Sequence, residues 1–497
     1  MRTNSSPMFC VESSFPITIK AFIDQLGLDA KLYYLNPSIK FYSIVPSDNA
    51  PINSNCLFIP YQESDYECKK AVQHGALAIL TDHVIGNLPC IVVPNMSDTL
   101  FRINQWLYSM CQFPAIMVAG SVGKTTLKRM VSCVLNTEKK AFCLQGNYNT
   151  MHGLCFSLQK IKLGTDLIVQ EVDEKRKNST RDCSKILKPD LVLLTNIAES
   201  HLDSYGSMDA LTESFRGVTA GMDENGIVVI NLDDKNSVAA NFDRRIVSVG
   251  INNTEADCVA TDIRESRHGI EFNVRYKNEA EHIRLSVHGI HNVYNSLMAY
   301  VVGRLKGISI TNIKKGLLSF RNTGIRQNIC KLGKTLVYAD CYNSSATSVH
   351  FALLCFDSLP SGGRKKVAVL GDIAEIEHFE EDTYQRIASD LNASNIDVLV
   401  TCGIKSEMIH SFITRDMQKK HTRNKEELNQ YLEILNRNGG GNYLFKASRV
   451  MELEKCIQSV FPNHYKRLNG CNSSLKVHIK QVPAQIKRRL NRWGRQL

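Results

Sequence analysis

Nine residues constrain this chain more than any other stretch: Val118-Ala119-Gly120-Ser121-Val122-Gly123-Lys124-Thr125-Thr126. The apolar run leading into them, from Ala115 to Val118, reads as a buried strand. The spacing from Leu127 to Leu135 predicts a helix after them. Glycines at a strand-to-helix turn let backbone N–H groups close around a phosphate, and the helix N-terminus favours the negative charge. In such a turn Lys124 reaches the outer phosphates and the Thr125 hydroxyl suits a magnesium ion. The usual P-loop has one more glycine, at the place held here by Val118, so the pattern is the shorter G-x-x-G-K-T. An ordinary glycine turn with a surface lysine is the competing reading. The strand–turn–helix context favours a nucleotide site.

Length and charge narrow the rest. A chain of 497 residues has room for about three domains. Hydrophobic content of 43% and charged content of 22% are those of a soluble globular protein. No apolar run follows a basic head at the start, and no run is long enough to span a membrane. The 16 cysteines are dispersed without a C-x-x-C pair, which argues for reduced thiols and a cytoplasmic setting. The net charge of +11 sits mostly after Asn463, where nine Lys or Arg occur with no acid. The excess therefore belongs to a tail rather than to a nucleic-acid-binding face, and no nucleic-acid partner is expected.

Alternating strand and helix signals divide the chain into an N-terminal α/β unit (1–112), a central P-loop unit (113–323), a third open α/β unit (324–462) and a basic tail (463–497). In the first unit, short apolar runs at Cys56 to Pro60, Leu77 to Thr81 and Cys90 to Pro94 read as strands. Helices are expected over 63–74 and over 98–110, the latter with Asp98 as N-cap. The central unit predicts a parallel sheet with helices on both faces, where ligands collect at the carboxyl ends of strands. Glu171 ends the strand 166–172 there and could hold magnesium, or cap a helix. His201 follows the strand 191–195, and a lone histidine at such a place is more often packing or surface than ligand. Asn292 and Asn295 stand three apart on one helix face, suited to a base edge. A helix N-cap plus an ordinary second Asn is the alternative. Asp340 ends a strand of the third unit, where a carboxylate can meet a ribose hydroxyl or simply make a turn.

In this order the pieces resemble the Mur ligase family, ATP-dependent amide ligases of peptidoglycan precursor synthesis, and most closely its MurF type. That type joins D-alanyl-D-alanine to a UDP-N-acetylmuramoyl tripeptide. The resemblance runs through AGSVGKTT (119–126), GNYNTMHG (146–153), LIVQEV (167–172) and TNIAESHLDSYGS (195–207). It continues in HGIHNVYNSLMA (288–299), TGIR (323–326), DCYNSSATS (340–348), VLGDIAE (369–375) and KASR (446–449). It implies a three-domain fold with a central P-loop sheet and a C-terminal Rossmann-like domain. It also implies a reaction in which ATP phosphorylates a carboxylate acceptor, UDP-muramoyl peptide being one candidate, and an amino acid or dipeptide amine displaces the phosphate. The implied nucleotide residues are Gly120, Ser121, Gly123, Lys124, Thr125, Thr126, Asn292, Asn295, Arg326 and Asp340. Thr125, Glu171 and His201 are the implied magnesium ligands, and Lys124, His201 and Arg326 the implied catalytic groups.

Three departures from the family pattern stand out. Phe215 and Arg216 occupy the region where these ligases carry a carbamylated lysine, Ala346 replaces the proline of the YN-x-x-P motif, and the first unit lacks the usual aspartate–glycine–histidine segment near Gln62 to Tyr66. A nucleotide-binding protein of the same fold that no longer ligates, acting as a regulatory or assembly subunit, is therefore the alternative. The tail is basic and partly amphipathic from Val477 to Trp493. That pattern suits an anionic membrane surface or a protein partner, with a solvated terminus as the bland reading.

Overall fold

The computed structural model describes residues 15–46, 55–61, 64–111, 113–144, 148–199, 202–266, 268–322, 324–374, 376 and 379–470. Three main sheets carry them. The first has five strands in the order Lys31–Tyr33, Cys90–Val92, Ala78–Thr81, Cys56–Ile59 and Ser43–Pro46, all parallel except the antiparallel Lys31–Tyr33 edge. The expected strands and the helix Asp65–Gln73 are present. The helix expected from Asp98 starts earlier, at Met96. Its N-cap is Asn95, whose side chain accepts from the Asp98 N–H at 2.9 Å. Asp98 lies instead in the first turn, where its charge suits the helix dipole.

The central sheet has nine strands. Seven run parallel, in the spatial order Cys258–Ser266, Arg245–Gly250, Ile227–Asn231, Leu191–Leu194, Ala115–Ala119, Leu167–Glu171 and the short Ala141–Phe142. An antiparallel pair, Gly269–Tyr276 and Glu279–Leu285, extends the far edge. The apolar run Ala115–Ala119 is buried on both faces, as an interior parallel strand must be. Ala115, Met117 and Ala119 join one core, and Ile116 and Val118 the core on the other face. The register sets Val118 opposite Glu171 and Ala119 opposite Leu194, so the P-loop turn, Glu171 and Thr195-Asn196 share one edge of the sheet.

Behind the turn the helix Lys124–Leu135 packs against Ile290–Leu305 and Ile310–Ser319. Gly316 permits this contact, because a Cβ there would lie 2.6 Å from Val134 Cα. The third sheet has six strands in the order Asn328–Leu332, Thr335–Asp340, Gly441–Lys446, Lys365–Gly371, Val398–Cys402 and Gln418–Thr422, parallel except for the first pair. A final helix, Pro462–Gly470, continues past the start of the expected basic tail and buries Leu468 against this sheet. Asn328 Nδ2 also donates to Leu468 O at 3.1 Å.

The cores are not divided the way the sheets are. One apolar cluster runs from Ile19, Phe22 and Phe41 through Leu100, Ile103 and Leu107 into Met117, Val192, Leu211 and Phe215 of the central unit. The third sheet has its own core on each face. The described cysteines are free thiols, most of them buried. No described helix is long and apolar enough to cross a membrane.

Candidate nucleotide site

Hydrogen bonds tie the P-loop turn to the neighbouring strand end. Ser121 N–H donates to Asn196 O at 2.9 Å, and Ser121 Oγ donates to Ala198 O at 2.9 Å. Val122 N–H donates to Asn196 Oδ1 at 3.1 Å while Asn196 Nδ2 returns a bond to Val122 O at 2.9 Å. Gly120 has φ +123°, and a Cβ on it would lie 2.2 Å from Thr195 Oγ1 and 2.9 Å from Asn196 O. Only glycine lets the turn approach so closely. Gly123 is the N-cap of the helix that follows and offers no capping side chain, which leaves the first-turn N–H groups, those of Thr125 and Thr126 among them, to an external acceptor. A turn shaped in this way fits a phosphate chain.

Beside it lies a buried polar cluster centred on Glu171, which is 2% exposed. Thr125 Oγ1 stands 3.0 and 2.9 Å from its two carboxylate oxygens, Asn149 Nδ2 donates to Oε1 at 3.1 Å, and Lys128 Nζ lies 3.4 Å from Oε2. Thr125 and Glu171 thus meet, as a shared hard cation requires. Among the described residues no group of three or more His, Cys, Asp or Glu is placed to hold a metal ion. His201, the third expected ligand, lies outside the described residues, as do Gly146, Asn147, Thr323, Glu375 and the tail beyond Gly470.

Lys124 is engaged as well. Its Nζ donates to Gly120 O at 2.5 Å and to Glu174 Oε2 at 2.9 Å, with Asp173 Oδ1 at 3.4 Å. Burial works against its charge, but Glu174 and Asp173 more than offset that and hold the ammonium above its ordinary pKa.

From Val122 and Gly123 a cavity of about 760 Å³ opens between the central and third units. The central unit contributes Asn196, Tyr294, Asn295 and His291, and the third contributes Gln327, His350, Phe351 and Arg386. Tyr294 OH donates to Asp233 Oδ2 at 2.8 Å. Its burial, and that carboxylate, push the phenol pKa well up. Across the cavity His291 Nε2 and Gln327 Oε1 are 3.0 Å apart, and Gln327 N–H donates to Asp340 Oδ1 at 3.1 Å. Burial lowers the His291 pKa, although Asp340 pulls the other way, so the ring is neutral near pH 7. At the rim Arg386 pairs with Glu199, bridging the two units.

The sequence-expected residues are distributed unevenly around this cavity. Gly123 and Asn295 line it. Asn292 is fully buried and donates to His288 O at 2.6 Å; it is not the N-cap, a place held by Gly289. Asp340 sits one residue layer behind Gln327, and Lys446 Nζ lies 3.1 Å from its Oδ2. Arg326 stacks on Tyr342 with its guanidinium carbon 3.4 Å from the ring centroid. Phe215 is wholly buried in the core shared by the first two units. Arg216 points elsewhere, to Ala240 O at 2.7 Å and Glu213 Oε2 at 2.6 Å.

Lys128, Asn149, Asp173, Glu174 and Gln327 were not anticipated. Three of these carry a readable signal: Lys128 lies one helical turn after Lys124 on a helix face that has to be buried, and the acids Asp173 and Glu174 follow Val172 just past the strand that ends in Glu171.

Comparison with known proteins agrees with this geometry. The Mur ligase middle domain family matches residues 118–303. The UDP-N-acetylmuramoyl-tripeptide–D-alanyl-D-alanine ligase of Bacillus subtilis (strain 168) is 28% identical over 429 residues, covering 84% of this chain and 92% of that protein. The enzyme of the same name from Escherichia coli (strain K12) is 24% identical over 429 residues, covering 84% and 94%. Among solved structures, MurF from Acinetobacter baumannii superposes with a TM-score of 0.78 at 21% identity, over 90% of this chain and 98% of that one. MurF from Thermotoga maritima in complex with ADP gives 0.72 at 21% identity, over 86% and 98%.

Proposed function

Because the chain belongs to the Mur ligase family, we propose that it is an ATP-dependent carboxylate–amine ligase of the MurF type, joining D-alanyl-D-alanine to a UDP-N-acetylmuramoyl tripeptide in the cytoplasm. The single observation that carries the reading is the meeting of a glycine-bounded turn, Lys124 and the Thr125–Glu171 pair at the mouth of a cavity walled by two units. When bound, ATP supplies the phosphoryl group that turns the acceptor carboxylate into an acyl phosphate, and magnesium neutralises charge on the phosphates.

The chain's own residues supply positions. The turn from Gly120 to Thr126 would hold the phosphates through backbone N–H groups, with Lys124 and Arg326 adding positive charge. Thr125 and Glu171, with His201, would hold magnesium. Asn295, Tyr294 and neutral His291 offer hydrogen-bonding groups to a base, and Asp340 with Gln327 to a ribose. The wall contributed by the third unit excludes water from an intermediate that water would hydrolyse.

The test is ADP release in the presence of UDP-N-acetylmuramoyl tripeptide and D-alanyl-D-alanine. Release that requires both substrates, and that disappears in Lys124→Ala, is expected. Nucleotide binding without release for any acceptor–amine pair would instead favour the non-ligating alternative.

A further inference from the structure

Where the first unit meets the central one, the carboxyl ends of strands from two sheets come together. Pro60 and Tyr61 leave the end of Cys56–Ile59 in the first sheet, and a loop leaves the end of Leu167–Glu171 in the central sheet. Their side chains touch. The Arg176 guanidinium lies 5.5 Å over the Tyr61 ring, Tyr61 packs edge-on against His152 at 5.1 Å, and His152 Nε2 stands 3.3 Å from Pro60 O. Open parallel sheets hold ligands at such ends. The loop here is basic: Lys175, Arg176, Lys177 and Arg181 follow Glu174 with no acid among them, and all four are exposed. Glu174 itself stands 2.9 Å from Lys124 Nζ. Two residues of backbone span at most ~7 Å, so Arg176 is anchored near the P-loop turn. Contact with a ring uses the face of a guanidinium, whereas its N–H donors lie in the plane. Stacked on Tyr61, Arg176 keeps its donors for an anion and has less side-chain freedom left to lose.

We propose that Arg176, stacked on Tyr61, is a specificity residue that holds an anionic group of the carboxylate acceptor, other than the carboxylate that is activated. The inference rests on the ligase reading above and adds a contact to it. The acceptor lies across the junction of the first and central units. One of its carboxylates reaches the P-loop turn, while a second anion, a peptide carboxylate or the diphosphate, meets the guanidinium. A planar guanidinium matches either group through two parallel N–H···O bonds. An acceptor without that second anion leaves the arginine unmatched and is used poorly.

The experiment is steady-state ADP release by the full chain with ATP, D-alanyl-D-alanine and UDP-N-acetylmuramoyl tripeptide. Arg176→Gln should raise the KM for the tripeptide acceptor at least about tenfold, the worth of a charged hydrogen-bonded pair. The KM for ATP and the melting midpoint should stay at the parent values, which a merely structural role for the arginine would not allow. Tyr61→Leu removes the stacking surface but not the charge, and should raise the acceptor KM by a smaller factor. Lys177→Gln removes the same charge one position on and should leave that KM within about twofold. An acceptor KM unchanged in Arg176→Gln overturns the proposal, as do equal increases in Arg176→Gln and Lys177→Gln, which mean a diffuse field rather than a contact. Competition by UDP-N-acetylglucosamine, which carries the diphosphate without a carboxylate, separates the two anions. An inhibition constant weakened in Arg176→Gln assigns the diphosphate, and an unchanged one assigns the peptide carboxylate. No ADP release by the parent chain with this acceptor overturns the ligase reading and the inference together.

Discussion

Gln159 offers a direct test of how the first unit is joined to the central one. Its amide accepts from Ile44 N–H at 2.9 Å and donates to Ile44 O at 2.9 Å, both bonds buried. Ile44 lies in Ser43–Pro46, the edge strand of the first sheet, so a side chain from the central unit does the work of one further strand. Gln159→Met keeps length and removes both partners. Each orphaned main-chain group then costs about 1–3 kcal/mol. Better solvation of the thioether in the core returns ~1 kcal/mol, for a net loss of about 3 kcal/mol. Trp106 reports the transition, since it is half-buried and packs edge-on against Phe22 at 5.8 Å on the core that spans both units. In a Trp493→Phe background, guanidinium unfolding followed by Trp106 fluorescence should show a lower midpoint with an unchanged slope. Amide exchange at Ile44 should accelerate in parallel. A loss below about 1 kcal/mol, or no change at the Ile44 amide, would refute the claim that this amide pair joins the units.

Three further outcomes are expected. Lys446→Met should destabilise the third unit by about 3–5 kcal/mol in chemical denaturation, because it leaves Asp340, 7% exposed, as a buried charge without its ammonium. Glu265 bears on pH: burial raises its pKa, but bonds from His288 and the Gly289 N–H outweigh that and hold it below the ordinary 4.5. A depressed carboxyl pKa gives stability that is complete above the unfolded value and is lost as pH falls through the folded one. The stability advantage of the parent over Glu265→Gln should accordingly shrink below about pH 4.5 in acid titrations followed by circular dichroism. The rim pair Glu199–Arg386 is about one-third exposed on each side. Breaking it with Arg386→Gln should change the apparent KM for ATP no more than about threefold, and ~0.5 M salt should erase the difference.

The central unit was the most legible part of the chain. Its strands are interior and parallel, so they appear as unbroken apolar runs such as Ala115–Ala119 and Leu191–Leu194, and the turn between strand and helix announces itself through Gly120 and Gly123. Less legible were the edges. Lys31–Tyr33, Asn328–Leu332 and Gln418–Thr422 carry charged and half-exposed residues without a continuous apolar signal, because an edge strand needs one buried face at most. The site shows the same division. Lys124, Thr125 and Glu171 sit at strand and helix ends whose geometry is local. Glu174, Asn149 and Gln327 reach their partners across 50, 22 and 36 residues of chain, and no spacing rule links residues so far apart. Asn292 is instructive for a different reason. Helical periodicity puts it on the face of Asn295, yet its amide turns back to His288 O, just before the N-cap Gly289 of the same helix, a bond available to any Asn so placed.

The apolar cluster that runs without a break from Phe22 to Phe215 has a mechanical consequence. Two of the three units cannot slide past one another without tearing oil from oil, so they form the anvil. The third keeps a private interior on each face of its sheet, and it meets the anvil through Phe379, which packs against the shared cluster, and through the Arg386–Glu199 pair. A cargo that touched both halves of the anvil would therefore lie on one rigid block, with no seam opening beneath it.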